Sequence, residues 1–166
     1  DSISNFGVSF TLGNKDSSEV GYAIISKVSL DTISTKEEFE HYSAIVGDDN
    51  ENIKKAIKKN TRLVTIQRSK GYATRPTLSV NRIGELISFI KNIKPDIICM
   101  VDNCYGEFVE TIEPSDVGAD MVVGSLIKNP GGGLAPIGGY IAGKKECIEN
   151  AAYRLTSPGL GKEVGA

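Results

Sequence analysis

The chain has 166 residues, of which 40% are hydrophobic and 24% are charged, a composition typical of a folded protein with one substantial core. The formal net charge is −2 and basic residues cluster no further than pairs, which argues against a nucleic-acid or anionic-membrane partner. No apolar run approaches the roughly 20 residues that a membrane-spanning helix requires. We therefore expect a single-domain cytoplasmic protein.

The three cysteines, Cys99, Cys104 and Cys147, fit neither a disulfide framework nor the spacing of a zinc site. We expect reduced thiols in or near the core and no bound metal. Cys104 is the cysteine that we expect to lie nearest to a ligand.

The first 47 residues carry weak signals. A strand-like stretch at 20–28 precedes a polar stretch at 34–42, whose histidine, His41, we interpret as a surface residue. Residues 48–60 place Asp and Asn before apolar residues at spacings of three and four, which predicts a short amphipathic helix. The β-branched run 61–67 predicts a buried strand.

An amphipathic helix is predicted over 79–94, behind a serine cap and before Pro95, with one apolar stripe formed by Ile83, Leu86, Ile87, Ile90 and Ile93. Further strands are predicted at 96–102, 118–127 and 138–143, and a last helix at 144–155. Because strands that are apolar throughout alternate with helices, we expect an α/β fold with three layers, a mainly parallel sheet flanked by helices.

Polar groups follow three of these strands, where α/β sheets bind their ligands. These groups are the loop 67–75, Asp102, and the pair Ser125 and Lys128. Lys128 follows an apolar strand, so we expect a lowered pKa and an amine that attacks carbonyl compounds. The plainer alternatives are a loop-capping Asp102 and a solvated Lys128.

Glycines crowd the segment after Lys128, where bare backbone N–H groups can approach an anion. Residues 138–144 even match the G-x-x-x-x-G-K pattern of a phosphate-binding loop, but Lys145 replaces the Ser or Thr that would hold magnesium. A nucleotide-binding α/β domain is therefore a weak alternative.

Asp102 and Lys128 lie at the ends of successive predicted strands, with Ser125 three residues before the lysine. Pyridoxal 5′-phosphate (PLP) chemistry requires such a set: a lysine for the aldehyde, a carboxylate for the pyridine nitrogen and hydroxyls for the phosphate. The strings "QRSKGYATRP", "VDNCYGEFVE", "GADMVVGSLIKNPGGGLAPIGGYIAG" and "RLTSPGLGKEVGA" closely resemble the aluminium-resistance or methionine gamma-lyase-like family of carbon–sulfur lyases. That family is similar to cystathionine beta-lyases and belongs to the fold-type I PLP-dependent enzymes.

The resemblance, which runs from about residue 61 to 166, implies roles for several residues. Lys128 matches the Schiff-base lysine, Asp102 the partner of the pyridine nitrogen, and Ser125 the phosphate-binding serine. Ile127 departs from the S-x-T-K motif of the cystathionine-lyase branch and removes one hydroxyl from the phosphate site. Further candidates for cofactor contacts are Cys104, Tyr105 and Arg68.

The resemblance implies a PLP-dependent lyase that acts on a small sulfur-containing amino acid by β- or γ-elimination, in a homodimer or homotetramer. Two alternatives stay open: an aminotransferase with the same cofactor, and a non-catalytic fragment or scaffold without a complete site. The start at Asp1 and the glycine-rich end at 157–166 suggest the central part of a PLP-binding large domain, without the N-terminal and C-terminal portions of the fold.

Overall fold

The computed structural model describes residues 22–26, 43–46, 49–71 and 74–155. The predicted polar stretch at 34–42, with His41, lies outside the described residues, as does the segment after 155. The described elements, in chain order, are β1 (Tyr22–Ser26), β2 (Ser43–Val46), α1 (Asn50–Ala56), β3 (Thr61–Gln67), α2 (Val80–Ile93), β4 (Ile98–Asp102), β5 (Met121–Ser125), β6 (Gly139–Gly143) and α3 (Lys145–Leu155), with short 3₁₀ turns at Pro114–Val117 and Asn129–Gly131.

The strands form one sheet in the order β2-β1-β3-β4-β5-β6. β3, β4 and β5 run parallel at its centre, whereas β1 is antiparallel to both of its neighbours and β6 is antiparallel to β5. The α/β prediction is confirmed, and the outer strands make the sheet mixed. β6 can return antiparallel because a loop joins it to β5, whereas parallel neighbours need a long crossover connection.

Helix α2 follows from its sequence. The Ser79 hydroxyl caps it by accepting a hydrogen bond from the Arg82 amide at 3.2 Å, and the predicted stripe is buried through Ile90. Ile93 is only half-buried because it occupies the last position of the helix. Helix α1, capped by Asp49, ends at Ala56 rather than 60, since the chain turns toward β3 where Lys58 N–H donates to the Thr61 hydroxyl.

The central strands bury side chains on both faces of the sheet. Alternation along β3 sends Leu63 to one face and Val64 and Ile66 to the other. The larger cluster packs under α1 and α2, and the smaller one includes Cys147 of α3. Helices therefore cover both faces, and the three-layer prediction is confirmed.

The predicted reduced thiols are also confirmed: all three cysteines are free, with Cys99 and Cys147 buried and Cys104 half-buried. Among the described residues, no helix is both long enough and apolar enough to cross a membrane.

Candidate active site

The sheet brings the predicted groups together along one edge. Gln67, the last residue of β3, pairs in register with Asp102, the last residue of β4, and Asp102 pairs with Val123 of β5. β5 ends two residues later at Ser125, whose carbonyl accepts from the Lys128 amide at 3.4 Å in a tight turn. Asp102, Ser125 and Lys128 therefore share the carboxyl-end edge of the parallel strands, as predicted.

Lys128 contacts the segment that follows β4. Its Nζ lies 4.5 Å from the centroid of the Tyr105 ring, which is close enough for a cation–π contact. Its ammonium also interacts with the Cys104 thiol and with the Asp102 carboxylate. The structure thus brings together four of the six predicted site residues: Lys128, Asp102, Cys104 and Tyr105.

The pKa of Lys128 is raised above its ordinary value, so the predicted lowering is wrong. Partial burial lowers this pKa, but a hydrogen bond with the Cys104 thiol and the charges of Cys104, Tyr105 and Asp102 together outweigh it. The prediction for the pKa of Lys128 took account of the apolar strand before the lysine but not of the polar segment that faces its amine. In this chain, Lys128 is protonated at neutral pH.

Asp102 and Cys104 form a local pair. Asp102 Oδ1 accepts from the Cys104 amide at 3.1 Å, which ties the half-buried carboxylate to the start of the loop. Burial, and then the nearby Asp102 carboxylate, raises the pKa of the Cys104 thiol above its usual value. Cys104 is therefore a neutral thiol at neutral pH, suited to hydrogen bonding rather than to nucleophilic attack.

Arg68 stands immediately after β3 and is only 2% exposed. Its Nη1 donates to Asn103 Oδ1 at 2.7 Å and to the Gly106 carbonyl at 2.8 Å, and its Nη2 donates to Glu110 Oε1 at 2.6 Å. Its Nε reaches the Leu78 carbonyl at 3.4 Å. The predicted contact of Arg68 with a cofactor stays a prediction; the contacts observed here all lie within the protein.

A second pair, buried Glu107 and half-buried Tyr140, was not singled out from the sequence. The Tyr140 hydroxyl donates to Glu107 Oε1 at 2.9 Å, and Glu107 Oε2 is buried without a hydrogen-bond partner among the described residues. Burial and the bond to Glu107 raise the pKa of Tyr140. Three glutamates spaced three apart after a buried strand are the one sequence signal that points to this polar layer.

The glycine-rich segment after Lys128 is tightly folded. Asn129–Gly131 form a 3₁₀ turn, and a Cβ at Gly131 would overlap the Leu126 carbonyl oxygen. Asn129 Nδ2 donates to the Glu107 carbonyl at 3.1 Å, which ties this turn to the loop after β4. Glycine is therefore required where the chain folds back beside the lysine.

Lys144, the lysine of the G-x-x-x-x-G-K match, lies beyond the opposite end of the parallel strands from Lys128. β6 runs antiparallel to β5, so Gly143 pairs with Met121 at the start of β5. Lys144 Nζ is held 2.6 Å from Asp120 Oδ1. Lys144 is therefore paired with a carboxylate rather than placed to bind a phosphate. The geometry gives the nucleotide-binding alternative no support.

The family model of methionine gamma-lyase matches residues 29–166. The chain belongs to this family. An uncharacterised protein of Bacillus subtilis, YnbB, is 56% identical over 118 residues, which make up 71% of this chain and 28% of that protein. The L-methionine gamma-lyase of Treponema denticola is 31% identical over 118 residues, 70% of this chain and 28% of that enzyme.

Solved structures agree with this assignment. A Listeria monocytogenes protein, provisionally named a cystathionine beta-lyase involved in aluminium resistance, has 56% sequence identity and a TM-score of 0.67, over 70% of this chain and 29% of that chain. The resemblance read from the sequence is therefore confirmed, and the chain is cystathionine-lyase-like. It spans well under half the length of each of these relatives.

Proposed function

We propose that the protein containing this chain is a PLP-dependent carbon–sulfur lyase, acting on a sulfur-containing amino acid by β- or γ-elimination. The observation that carries the proposal is the meeting of Lys128 and Asp102, from the ends of neighbouring parallel strands, in a chain of the methionine gamma-lyase family. Relatives named as lyases support the reaction class.

The residues at this edge fit the cofactor. They offer an amine on Lys128, a half-buried carboxylate on Asp102 and a half-buried serine, Ser125, close to the glycine-rich turn. PLP, when bound, supplies an aldehyde that an amine can hold and a ring that accepts electrons. Lys128 would hold the aldehyde, Asp102 the ring nitrogen, and Ser125 the phosphate.

The chain's own groups also suit the proton transfer that elimination requires. The Lys128 amine, in its deprotonated form, would take the proton from the substrate's α-carbon. Cys104 and Tyr105, which contact the same amine, would hold it at the strand-end edge during this transfer. The Asp102 carboxylate would pair with the ring nitrogen of the cofactor.

We further propose that a second copy of the protein, in a homodimer or homotetramer, completes the site. Large apolar side chains near Lys128 are strongly exposed in this chain, at 90% for Leu134 and 79% for Ile137. In the intact protein we expect this apolar surface to be covered, in part by the second copy. Light scattering of the intact protein that gives a monomer mass at micromolar concentration would contradict this arrangement.

The test of the cofactor site compares Lys128→Ala with Lys145→Ala in the intact protein. Lys145 is 88% exposed and its nearest carboxylate, on Glu149, is 4.0 Å away, so its loss is a matched control. After PLP addition and borohydride reduction, we expect one pyridoxyl group on the Lys128 peptide by mass spectrometry, present in the control and missing in Lys128→Ala. Labelling that persists in Lys128→Ala would refute the role of this lysine.

Products separate the reaction classes. Incubation with L-methionine or L-cystathionine should release a thiol, ammonia and a keto acid in stoichiometric amounts, and L-cysteine should release hydrogen sulfide in place of the thiol. Amino-group exchange onto an added keto acid without thiol release would instead identify an aminotransferase. A protein that is labelled at Lys128 but turns over none of these substrates would refute the lyase proposal.

A further inference from the structure

The segment 103–113, which links β4 to the 3₁₀ turn at Pro114–Val117, has an unusual backbone. Tyr105 and Phe108 adopt left-handed conformations, with φ of 66° and 63°, although neither is glycine. Each such residue costs on the order of 1 kcal/mol and persists only where the surroundings fix it. Both side chains are exposed, at 61% and 78%, so their own packing does not hold the segment.

The buried Arg68 guanidinium supplies the missing constraint. Its Nη1 bonds Asn103 Oδ1 and the Gly106 carbonyl, the two groups that flank Cys104 and Tyr105. Its Nη2 bonds Glu110, which also accepts from the Val80 amide at 2.9 Å and so anchors the segment to α2. The Arg68 amide donates to the Asp102 carbonyl at 3.0 Å.

We propose that Arg68 is a positioning residue, whose guanidinium holds segment 103–113 in the shape that keeps Cys104 and Tyr105 against Lys128. The proposal deepens the proposed function, because it explains how the groups around the reactive amine are placed. It assigns Arg68 no contact with the cofactor. Four of its five guanidinium N–H groups already bond the protein, and the residue is only 2% exposed.

Close packing agrees with this role. A Cβ at Gly106 would overlap Arg68 Cδ and lie 2.5 Å from its Nη1, so the loop backbone rests directly on the arginine. Asn103, buried to 1% exposure, also donates to Glu113 Oε2 at 2.9 Å, and Glu113 Oε1 accepts from the Phe108 amide at 3.0 Å. The arginine thus stands at the centre of a bonded network that spans the whole segment.

The experiment uses the intact, cofactor-free protein with Arg68→Met, Glu110→Gln and Arg68→Lys. Arg62→Met is the matched control, because Arg62 starts the same strand but is exposed and pairs with Asp96 at 3.3 Å. Glu110→Gln keeps an acceptor for Val80 and decides the question if Arg68→Met does not fold. Circular dichroism identifies the folded variants.

Two measurements test the proposal: one reports on the backbone of segment 103–113 and the other on the amine of Lys128. Amide hydrogen exchange of residues 103–110 should be about tenfold to a hundredfold faster in Arg68→Met, as expected when charged hydrogen bonds are lost, and less accelerated in Arg68→Lys and Glu110→Gln. The pH midpoint for reductive methylation of Lys128 should move to lower pH, since Cys104, Tyr105 and Asp102 are the groups that raise its pKa. Arg62→Met should match the parent protein in both readouts.

If folded Arg68→Met and Glu110→Gln exchange and titrate like Arg62→Met, Arg68 does not position the segment. Because both readouts are taken without cofactor, they can succeed even if Lys128 carries no pyridoxyl group in the earlier test. Failure of the lyase proposal and failure of the positioning role are therefore distinguishable.

Discussion

Replacing Asp120 by alanine is expected to destabilise the protein. Asp120 lies at the amino end of the parallel strands, the end opposite Lys128. Asp120 is 2% exposed, and its Oδ2 accepts from the Cys99 amide at 2.7 Å and from Lys91 Nζ at 2.6 Å. Its Oδ1 pairs with Lys144 Nζ at 2.6 Å. One carboxylate thus joins the start of β4, helix α2 and the end of β6.

The three contacts contribute unequally to the loss. The buried Cys99 N–H loses its acceptor, which costs about 1–3 kcal/mol, and the charged bond to Lys91, 26% exposed, adds about 1 kcal/mol. Lys144 is 67% exposed, so solvent screening limits its pair to about 0–1 kcal/mol. We expect a total loss of about 2–5 kcal/mol in the free energy of unfolding for Asp120→Ala. Asp120→Asn, which keeps an acceptor for Cys99, should lose less.

The assay is urea unfolding of the intact protein from pH 7 to pH 3, with Asp96→Ala as control. Asp96 pairs with Lys94 and Arg62 in an exposed cluster, so its loss should leave the urea midpoint unresolved from that of the parent. Although burial raises the pKa of Asp120, the hydrogen bonds from Cys99, Lys144 and Lys91 outweigh it and lower this pKa.

Because the folded-state pKa lies below the unfolded one, the stabilisation is complete above the unfolded pKa of about 3.9 and fades as the pH falls through the folded value. The parent and Asp120→Ala should therefore converge in acid. A midpoint for Asp120→Ala equal to that of Asp96→Ala, or a difference that grows in acid, would refute this reasoning.

Three further predictions concern the layer beneath the site. Tyr140→Phe removes the donor to the buried Glu107 carboxylate and should cost about 1.5–3 kcal/mol in urea unfolding; a midpoint equal to that of the parent would contradict this. Gly106→Ala forces a Cβ into Arg68 and should cost about 1–3 kcal/mol; an unchanged midpoint would mean that the loop yields freely. In native protein at pH 7.5, iodoacetamide should label Cys104 first and Cys99 last, because burial raises the pKa of Cys99 to about 12; mass spectrometry showing Cys99 labelled first would contradict this.

Local patterns predicted every described strand and helix except β2, but not the direction of the outer strands. β3 and α2 lie where their β-branched run and their apolar stripe predict, within a residue at each end. β2, only four residues long, has no comparable pattern, and the antiparallel pairing of β1 with β3, such as Tyr22 with Ile66, joins distant parts of the chain. Periodicity reports which face a residue presents, but not which strand becomes its neighbour.

The candidate site, too, could be predicted only in part from the sequence. Asp102 and Lys128 were predictable because parallel strands end at a common edge. The bond from Arg68 to Glu110 joins residues 42 positions apart, and the contacts of the Lys128 amine come from a loop whose conformation depends on that bond. Sequence reasoning therefore located the amine but assigned the wrong direction to its pKa.

The lysines at the two edges of the sheet have different partners, and this difference supports the proposal that Lys128 is the reactive amine. Lys91 and Lys144 each lie 2.6 Å from the same carboxylate, Asp120. Replacing Asp120 is expected to cost about 2–5 kcal/mol in total, so both lysines are held beside a carboxylate that the fold needs. Lys128 instead lies over the Tyr105 ring and beside the neutral Cys104 thiol. A cation–π contact at an exposed site contributes only about 0.5–1 kcal/mol, so little is lost when this contact breaks. The ammonium must also release its proton before the amine can attack a carbonyl carbon.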